Sequence, residues 1–418
     1  MKSFSQEKFA GAMRAGDSRR YKINIKDERD TLIEAGMAAA EVGPVGFEPL
    51  ATTSIKKKKC FSVLGYSQVL ILRILAKLVR QRYQIRVKGR DAIVKDVIAA
   101  LTESASMYVI RRDIKNFYET LPVGEVRDNV LLNAYISSKK RDFIRNYFDV
   151  FSPTTIGVPR GIGLSAVISE LVLQESDLTI KASPGVYRYF RFADDILIFS
   201  TVPPEELEPT LQASLPVGVV FNKRKGKRDD LAIVGQKGSE REQSFEYLGY
   251  RFTFNDRCGD RKAREVKVGI ADRKLKRIKT RVICAFKSYE ITKDFDLLLD
   301  RIKFASSNYV VFRHGSKNAE LSRNVNSGIY YNYSLCGTYQ GRVIKPYQCE
   351  ELKALDAFYH SLLRGAGSAF TKYFNGPANH SKMVKLSEIS FHKGYADKMM
   401  VRFTNPRIKQ IKKVWKNV

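Results

Sequence analysis

Apolar and polar positions alternate along the chain with periods that change from segment to segment. Residues 27–42 and 66–79 carry helical spacing, and Ser5-Gln6-Glu7-Lys8-Phe9 opens a shorter helix. Gly43-Pro44-Val45-Gly46 breaks the pattern between them. Residues 80–88 alternate at Tyr83, Ile85 and Val87, which predicts a strand; residues 91–101 return to helix, with Ile93, Val94, Val97 and Ile98 on one face. Residues 107–114 are apolar and β-branched and read as a strand. A turn at Thr120-Leu121-Pro122 precedes helices to about Phe151, a loop at Ser152-Pro153-Thr154-Thr155, and one long helix over 164–178. Residues 186–192 and 196–201 predict a β-hairpin around a tight turn at Ala193-Asp194. Pro203-Pro204-Glu205-Glu206 opens another helix, residues 244–254 form a strand or hairpin, and residues 272–281 form a basic helix. The remainder looks largely helical and rich in Tyr, and no internal repeat is visible.

Two features of this pattern carry chemistry. Asp113 ends the apolar run Tyr108-Val109-Ile110-Arg111-Arg112-Asp113-Ile114, where an acid is costly unless it is paired or binds a metal. Asp194 and Asp195 sit at the turn of the later hairpin. If the two strands are neighbours, three carboxylates converge, and an oxygen-only ligand set of that kind suits Mg²⁺. Between them lies Ile156-Gly157-Val158-Pro159-Arg160-Gly161-Ile162-Gly163-Leu164-Ser165, whose glycines permit close approach of another backbone or a ligand. Taken singly, each feature has an ordinary explanation: Asp-Asp is common in turns, and a glycine-rich loop often precedes a helix.

Composition narrows the partner. The chain has 418 residues, enough for two or three packed sub-structures, and 44% of them are apolar. Lys plus Arg is 73 against 44 Asp plus Glu, a net +29 that points to a polyanion, nucleic acid above all. Lys56-Lys57-Lys58-Lys59 fits a solvated loop as well as a phosphate contact. The five cysteines show no CxxC spacing and the four histidines are scattered, so zinc is not indicated and a reducing, cytoplasmic setting is expected. The most apolar stretch, residues 61–79, contains Arg73 and Lys77 and reads as a buried helix, so no membrane association is expected; the N-terminus has no apolar leader segment.

In their order, these segments resemble the reverse transcriptases. Asp113-Ile114-Lys115-Asn116-Phe117-Tyr118 is similar to motif A of that family, Gly157-Val158-Pro159-Arg160-Gly161 with Leu164-Ser165 to motif B, and Phe192-Ala193-Asp194-Asp195 to motif C. Phe221-Asn222-Lys223-Arg224-Lys225 resembles motif D, and Phe245-Glu246-Tyr247-Leu248-Gly249-Tyr250 the primer grip of motif E. Five blocks in order across residues 108–254 are more specific than any one of them.

The resemblance implies an α+β, right-hand polymerase fold. Its expected parts are an N-terminal extension over 1–59, fingers over 60–107, a palm over 108–255 with a fingers insertion at about 120–155, a helical thumb over 256–345 and a basic helical region over 346–418. It implies RNA-templated DNA synthesis by two-metal phosphoryl transfer with two Mg²⁺ ions per site, Mn²⁺ being the alternative. Asp113, Asp194 and Asp195 would hold the metals, and Lys225 would assist pyrophosphate departure as an acid. Tyr118 would be the steric gate against a ribose 2′-hydroxyl, with Phe117 beside it, and Arg160 and Gly161 would lie over the nascent base pair. Lys88, Arg90 and Arg112 are candidates for the triphosphate. Tyr247, Leu248 and Gly249 would grip the primer, and Arg273, Lys274, Arg277 and Arg281 would line the duplex as backbone contacts.

Arg160 stands where many family members have Gln, and Phe192-Ala193 where retroviral enzymes have Tyr and a larger residue; both departures point to a bacterial branch. Residues 3–9 and 324–333 are similar to segments of defence-associated bacterial reverse transcriptases, the former to the smaller polymerase of type 3 systems. That resemblance implies anti-phage defence in the bacterial cytoplasm with a structured non-coding RNA as template, dNTPs as substrates, a DNA product, and either a second reverse transcriptase subunit or a homo-oligomer. Template-independent or protein-primed DNA synthesis, and RNA-dependent RNA synthesis, are the alternatives. Tyr330, Tyr331 and Tyr333 serve either thumb packing or stacking on nucleic acid. The tail of residues 407–416 is an amphipathic basic helix that would hold RNA or dock on a partner through Ile408, Ile411 and Trp415.

Overall fold

Strands β1 (Ala51–Ile55) and β2 (Lys58–Ser62) pair antiparallel, with Ala51 opposite Ser62 and Ile55 opposite Lys58. The lysine run conceals this hairpin in the sequence. The computed structural model describes residues 4–14, 16–46, 50–55, 58–151, 157–222, 230–235, 240–259, 262–312 and 324–415. The chain is α+β with antiparallel sheets, and it divides into two compact units. The first comprises Met1–Gly89, Ser106–Ile233 and Phe312–Arg323; the second comprises Arg90–Ala105, Val234–Val311 and Asn324–Val418. The division at 233/234 falls inside the segment expected as palm, so the hairpin around Leu248 and Gly249 belongs with the helical half.

The first unit is built on a four-stranded sheet. β3 (Met107–Asp113), β4 (Val186–Phe192), β5 (Asp195–Ser200) and β6 (Asp230–Ile233) lie in the order β4-β5-β3-β6, every pair antiparallel. Successive side chains of a strand point to opposite faces. One face therefore carries Ile110, Ile196 and Ile198, which join Leu164, Val167, Ile168 and Ile180 of the covering helices in one core. Each such side chain, fully buried, contributes about 1.5–3 kcal/mol. The other face carries Arg111, Asp113 and Asp195.

Two local expectations change. The helix predicted over 164–178 is two helices, Gly163–Val172 and Gln174–Ala182, with the chain turning at Leu173 (φ −91°, ψ 0°). Each helix thereby sends one acid, Glu170 and Asp177, to the same arginine, Arg191 of β4. The strand predicted over 80–88 does not form: the helix Tyr66–Arg82 continues through its first residues and Gln84 turns back with φ 51°. Of the alternating residues, only Ile85 is buried.

The second unit holds a five-stranded antiparallel sheet. Its strands are β7 (Glu242–Tyr247), β8 (Tyr250–Asn255), β9 (Glu265–Ile270), β12 (Gly337–Gln340) and β13 (Val343–Pro346), in the order β13-β12-β9-β8-β7. A smaller sheet orders β11 (Asn324–Gly328), β10 (Asn308–Phe312) and β14 (Met400–Val401), with β10 and β14 parallel. The region expected to be largely helical thus contains several short strands. The basic helix runs farther than expected, over Asp272–Thr292, and packs Phe286 and Tyr289 against Tyr359, Phe370 and Phe374. The tail helix, Asn405–Lys413, buries Ile408 and Ile411, with Trp415 after it, against Phe304. Its apolar face is therefore covered by the chain itself, which corrects the expectation of a face open to a partner. No helix among the described residues is long and apolar enough to cross a membrane.

Candidate active site

The register of β3 and β5 sets Asp113 directly opposite Asp195, so both carboxylates rise from one face. Asp194 is at the two-residue turn between β4 and β5 and returns to β3 through a 3.0 Å bond from the Ile114 amide to its carbonyl. Ala193 takes the left-handed conformation, φ 56°, that lets so short a turn close. Like charges opposite each other in a sheet are destabilising. The Asp113 carboxyl is accordingly raised above its usual range, first by burial and then by Asp194, with Asp195 adding to it. Two groups oppose the rise. Asn222 Nδ2 donates to Asp113 Oδ2, and Arg111 lies across the sheet face. The Asn222 amide also donates to the Asp113 carbonyl at 2.8 Å, which fixes this asparagine beside the acid.

Arg111 grips Asp195 with both arms of its fork, Nε to Oδ1 and Nη2 to Oδ2, each at 2.9 Å. Arg112, the candidate for the triphosphate, points the other way. The residue is 3% exposed, and its guanidinium bonds Glu208 and Asp230, whose acids raise its pKa although burial opposes the charge. Strand parity corrects that expectation: Arg111 shares its face with Asp113, and Arg112 faces away.

Behind the turn, the Arg191 side chain is 6% exposed and bonds Asp177 and Glu170 while donating to the Ala193 carbonyl at 3.2 Å. It braces the turn that carries Asp194. The carboxylate of Asp194 itself has no hydrogen bond or ion pair within the protein, among the described residues. No three His, Cys, Asp or Glu side chains are gathered as a ready-made metal cluster among the described residues. Asp195 is drawn to Arg111, and Asp113 and Asp194 remain as the oxygen donors that a hard cation would suit.

The glycine-rich segment meets the residues after Asp113. Asn116, φ 49°, bends the chain into the short helix Phe117–Thr120. The Val158 amide donates to the Tyr118 carbonyl at 2.8 Å, and a Cβ on Gly157 would stand 1.9 Å from that same oxygen. Gly161 has φ +105°, and its neighbour Arg160 accepts from the Phe61 amide of β2. Arg160 lies over the Tyr118 ring at 5.0 Å and forks onto Glu119. Tyr118 is half-buried, and its hydroxyl is raised in pKa by burial, with Arg160 opposing and Asp194 adding. Phe117 is buried beneath it with its ring edge-on. Phe117 therefore supports the tyrosine from the core and is not placed to touch a nucleotide.

The remaining candidates divide by unit. Lys88 is exposed in the first unit. In the second, Arg90 donates to the carbonyls of Leu248 and Asn332, both at 2.8 Å, and lies over the rings of Tyr250 and Tyr333. This corrects its assignment to the triphosphate: its donors brace the β7–β8 turn, where Leu248 (φ 47°) and Gly249 (φ 86°) are both left-handed. Tyr247 and Gly249 are buried, so of the expected primer grip Leu248, at the turn, is the partly exposed residue. Tyr330 and Tyr333 pack against Tyr395 and Tyr250. On the basic helix Arg273 is exposed, Lys274 leans towards Gly249, and Arg277 is half-buried. Arg281 lies over Trp415, whose indole N–H donates to the Arg281 carbonyl at 2.9 Å. Lys225, with Lys56 and Lys57, lies outside the described residues.

Sequence reasoning assigned no role to Arg111, Asn222, Glu119 or Arg191. Arg111 alone had a local signal, its two-residue spacing from Asp113. Comparison with family models and with curated proteins returns no match.

Proposed function

We propose that this protein is an RNA-templated DNA polymerase of the reverse transcriptase kind, with fingers, palm and thumb. The observation that carries the reading is the cross-strand pair Asp113 and Asp195, with Asp194, whose carboxylate has no partner among the described residues, at the adjoining turn. Asp113, raised by burial and by its acidic neighbours, is a group that a cation would restore to its charged form. Asp113 and Asp194 would hold Mg²⁺, or Mn²⁺ in its place. When bound, the metal supplies charge to the triphosphate and makes a primer 3′-hydroxyl more acidic.

The chain's own groups do the positioning. Asn222 and Arg111 hold two carboxylates in fixed directions before substrate arrives. The 3′-oxygen attacks the α-phosphorus, the bond to the β-phosphate oxygen breaks, and pyrophosphate leaves. Tyr118, held by Phe117 below and Arg160 above, blocks the volume that a 2′-hydroxyl would need, so dNTPs are the substrates. The defence role and a structured non-coding RNA template rest on the likeness of residues 3–9 and 324–333 to defence-associated enzymes.

The test is to purify the protein with its bound RNA, supply dNTPs or NTPs with Mg²⁺, and sequence the product. DNA complementary to that RNA, lost in Asp194→Ala, is expected. A product unrelated to the RNA points to template-independent or protein-primed synthesis, and NTP incorporation to an RNA polymerase. Equal activity in Asp194→Ala removes the site assignment. Loss of phage protection in Asp194→Ala cells tests the defence role.

A further inference from the structure

We propose that Tyr135 is a base-stacking platform for single-stranded nucleic acid, set beside the basic segment 80–88 on the first unit. The turn between the helices Gly124–Leu132 and Ser138–Phe151 is anchored from several sides. Ile136 is buried, its amide bonds the Asn133 carbonyl at 3.0 Å, and the Asn133 side chain accepts from the Tyr135 amide at 3.1 Å. Arg141 donates to the Leu131 carbonyl. Yet this held turn leaves Leu132 79% and Tyr135 78% exposed. A rigid turn that presents a large aromatic ring to solvent loses little conformational entropy when a flat ligand covers it.

The turn is joined to the basic segment by one residue. The Tyr83 hydroxyl donates to the Asn129 carbonyl and accepts from Asn133 Nδ2, both at 3.2 Å. The segment reads Arg80-Gln81-Arg82-Tyr83-Gln84-Ile85-Arg86-Val87-Lys88 and contains no acid. Arg82 lies over the Tyr135 ring, its guanidinium carbon 3.8 Å from the centroid, and has no carboxylate partner among the described residues. An aromatic ring beside an arginine that has no carboxylate partner among the described residues is the combination that takes a base on the ring and a phosphate on the cation. The net charge of +29 selects a polyanion over an apolar protein partner. The inference shares nucleic acid as partner with the function proposed above, but it does not depend on catalysis.

Full-length protein is titrated into fluorescein-labelled oligothymidylate and oligouridylate, and anisotropy is read at several salt concentrations. Tyr135→Ala is expected to weaken binding about 5- to 50-fold with an unchanged salt slope, as removal of one stacked base does, and Tyr135→Phe to stay near wild type. Arg82→Ala is expected to make the salt slope shallower. Wild-type affinity in Tyr135→Ala, or no binding by wild type, overturns the proposal. So does a change of oligomeric state in Tyr135→Ala with oligonucleotide affinity intact, which assigns the face to a second copy. Tyr135-dependent binding in a protein that polymerises nothing overturns the polymerase reading and leaves this one standing; Tyr135-independent binding in an active polymerase does the reverse.

Discussion

Arg111 holds Asp195 by both carboxylate oxygens at 2.9 Å, one face of the sheet carrying the cation and the acids together. A bidentate fork of this kind fixes direction as well as charge. Arg111 also helps to hold down the Asp113 carboxyl. Arg111→Gln is therefore expected to slow nucleotide addition about 10-fold, in the range for a positioned charge, and to move the acid limb of the pH–rate profile to higher pH. Single-nucleotide incorporation measured across pH reads both, and an unchanged acid limb would show that Arg111 does not act on the acids.

Asp113 is a cost to the fold that the site keeps. Its carboxyl is raised in the folded protein, so the folded state binds that proton more tightly than the unfolded chain. The stability tied to the neutral form is complete below the unfolded carboxylate range and is lost as pH rises through the folded value. Asp113→Asn removes that loss. Activity should fall at least about 100-fold, while Tm at pH 7 equals or exceeds that of wild type and the difference closes in acid. A Tm well below wild type at pH 7 would contradict this assignment.

Gly157 sits where no other residue fits, because a Cβ there would overlap the Tyr118 carbonyl at 1.9 Å. Gly157→Ala must push the Phe117–Thr120 helix away from the Gly157–Val158 segment. A destabilisation of about 1–3 kcal/mol is expected, together with weaker discrimination of dNTPs from NTPs as Tyr118 shifts. Urea unfolding and competitive incorporation measure the two effects separately.

Trp415 is buried against Phe304 and bonds the Arg281 carbonyl. Trp415→Ala is expected to cost about 3–5 kcal/mol of stability in the second unit, as for other buried large aromatics. Unchanged unfolding with a loss of subunit association would instead return this tail to the role of an interface.

Local rules carried much of the site. Asp113 at the end of an apolar strand, the hairpin turn at Ala193 and Asp194, and the glycines around Pro159 are all visible as period-2 alternation and turn chemistry, signals only a few residues long. The strand at 80–88 failed because alternation there was not matched by burial: Tyr83 and Val87 stay near the surface. Phe117 and Tyr118 look alike as neighbours, and only packing decides which enters the core.

What lay outside the sequence was which charges meet. Arg111 and Arg112 are adjacent and chemically identical, and their partners Asp195, Glu208 and Asp230 come from distant parts of the chain. Sequence by itself determined that strongly patterned strands would present acids at their ends. The tertiary register determined that Asp113 would face Asp195, that Arg111 would pair with Asp195, and that the tail would close on Phe304. The physical reason is range: side-chain alternation is set within a strand, whereas ion pairs and core contacts are chosen only when distant strands and helices come into register.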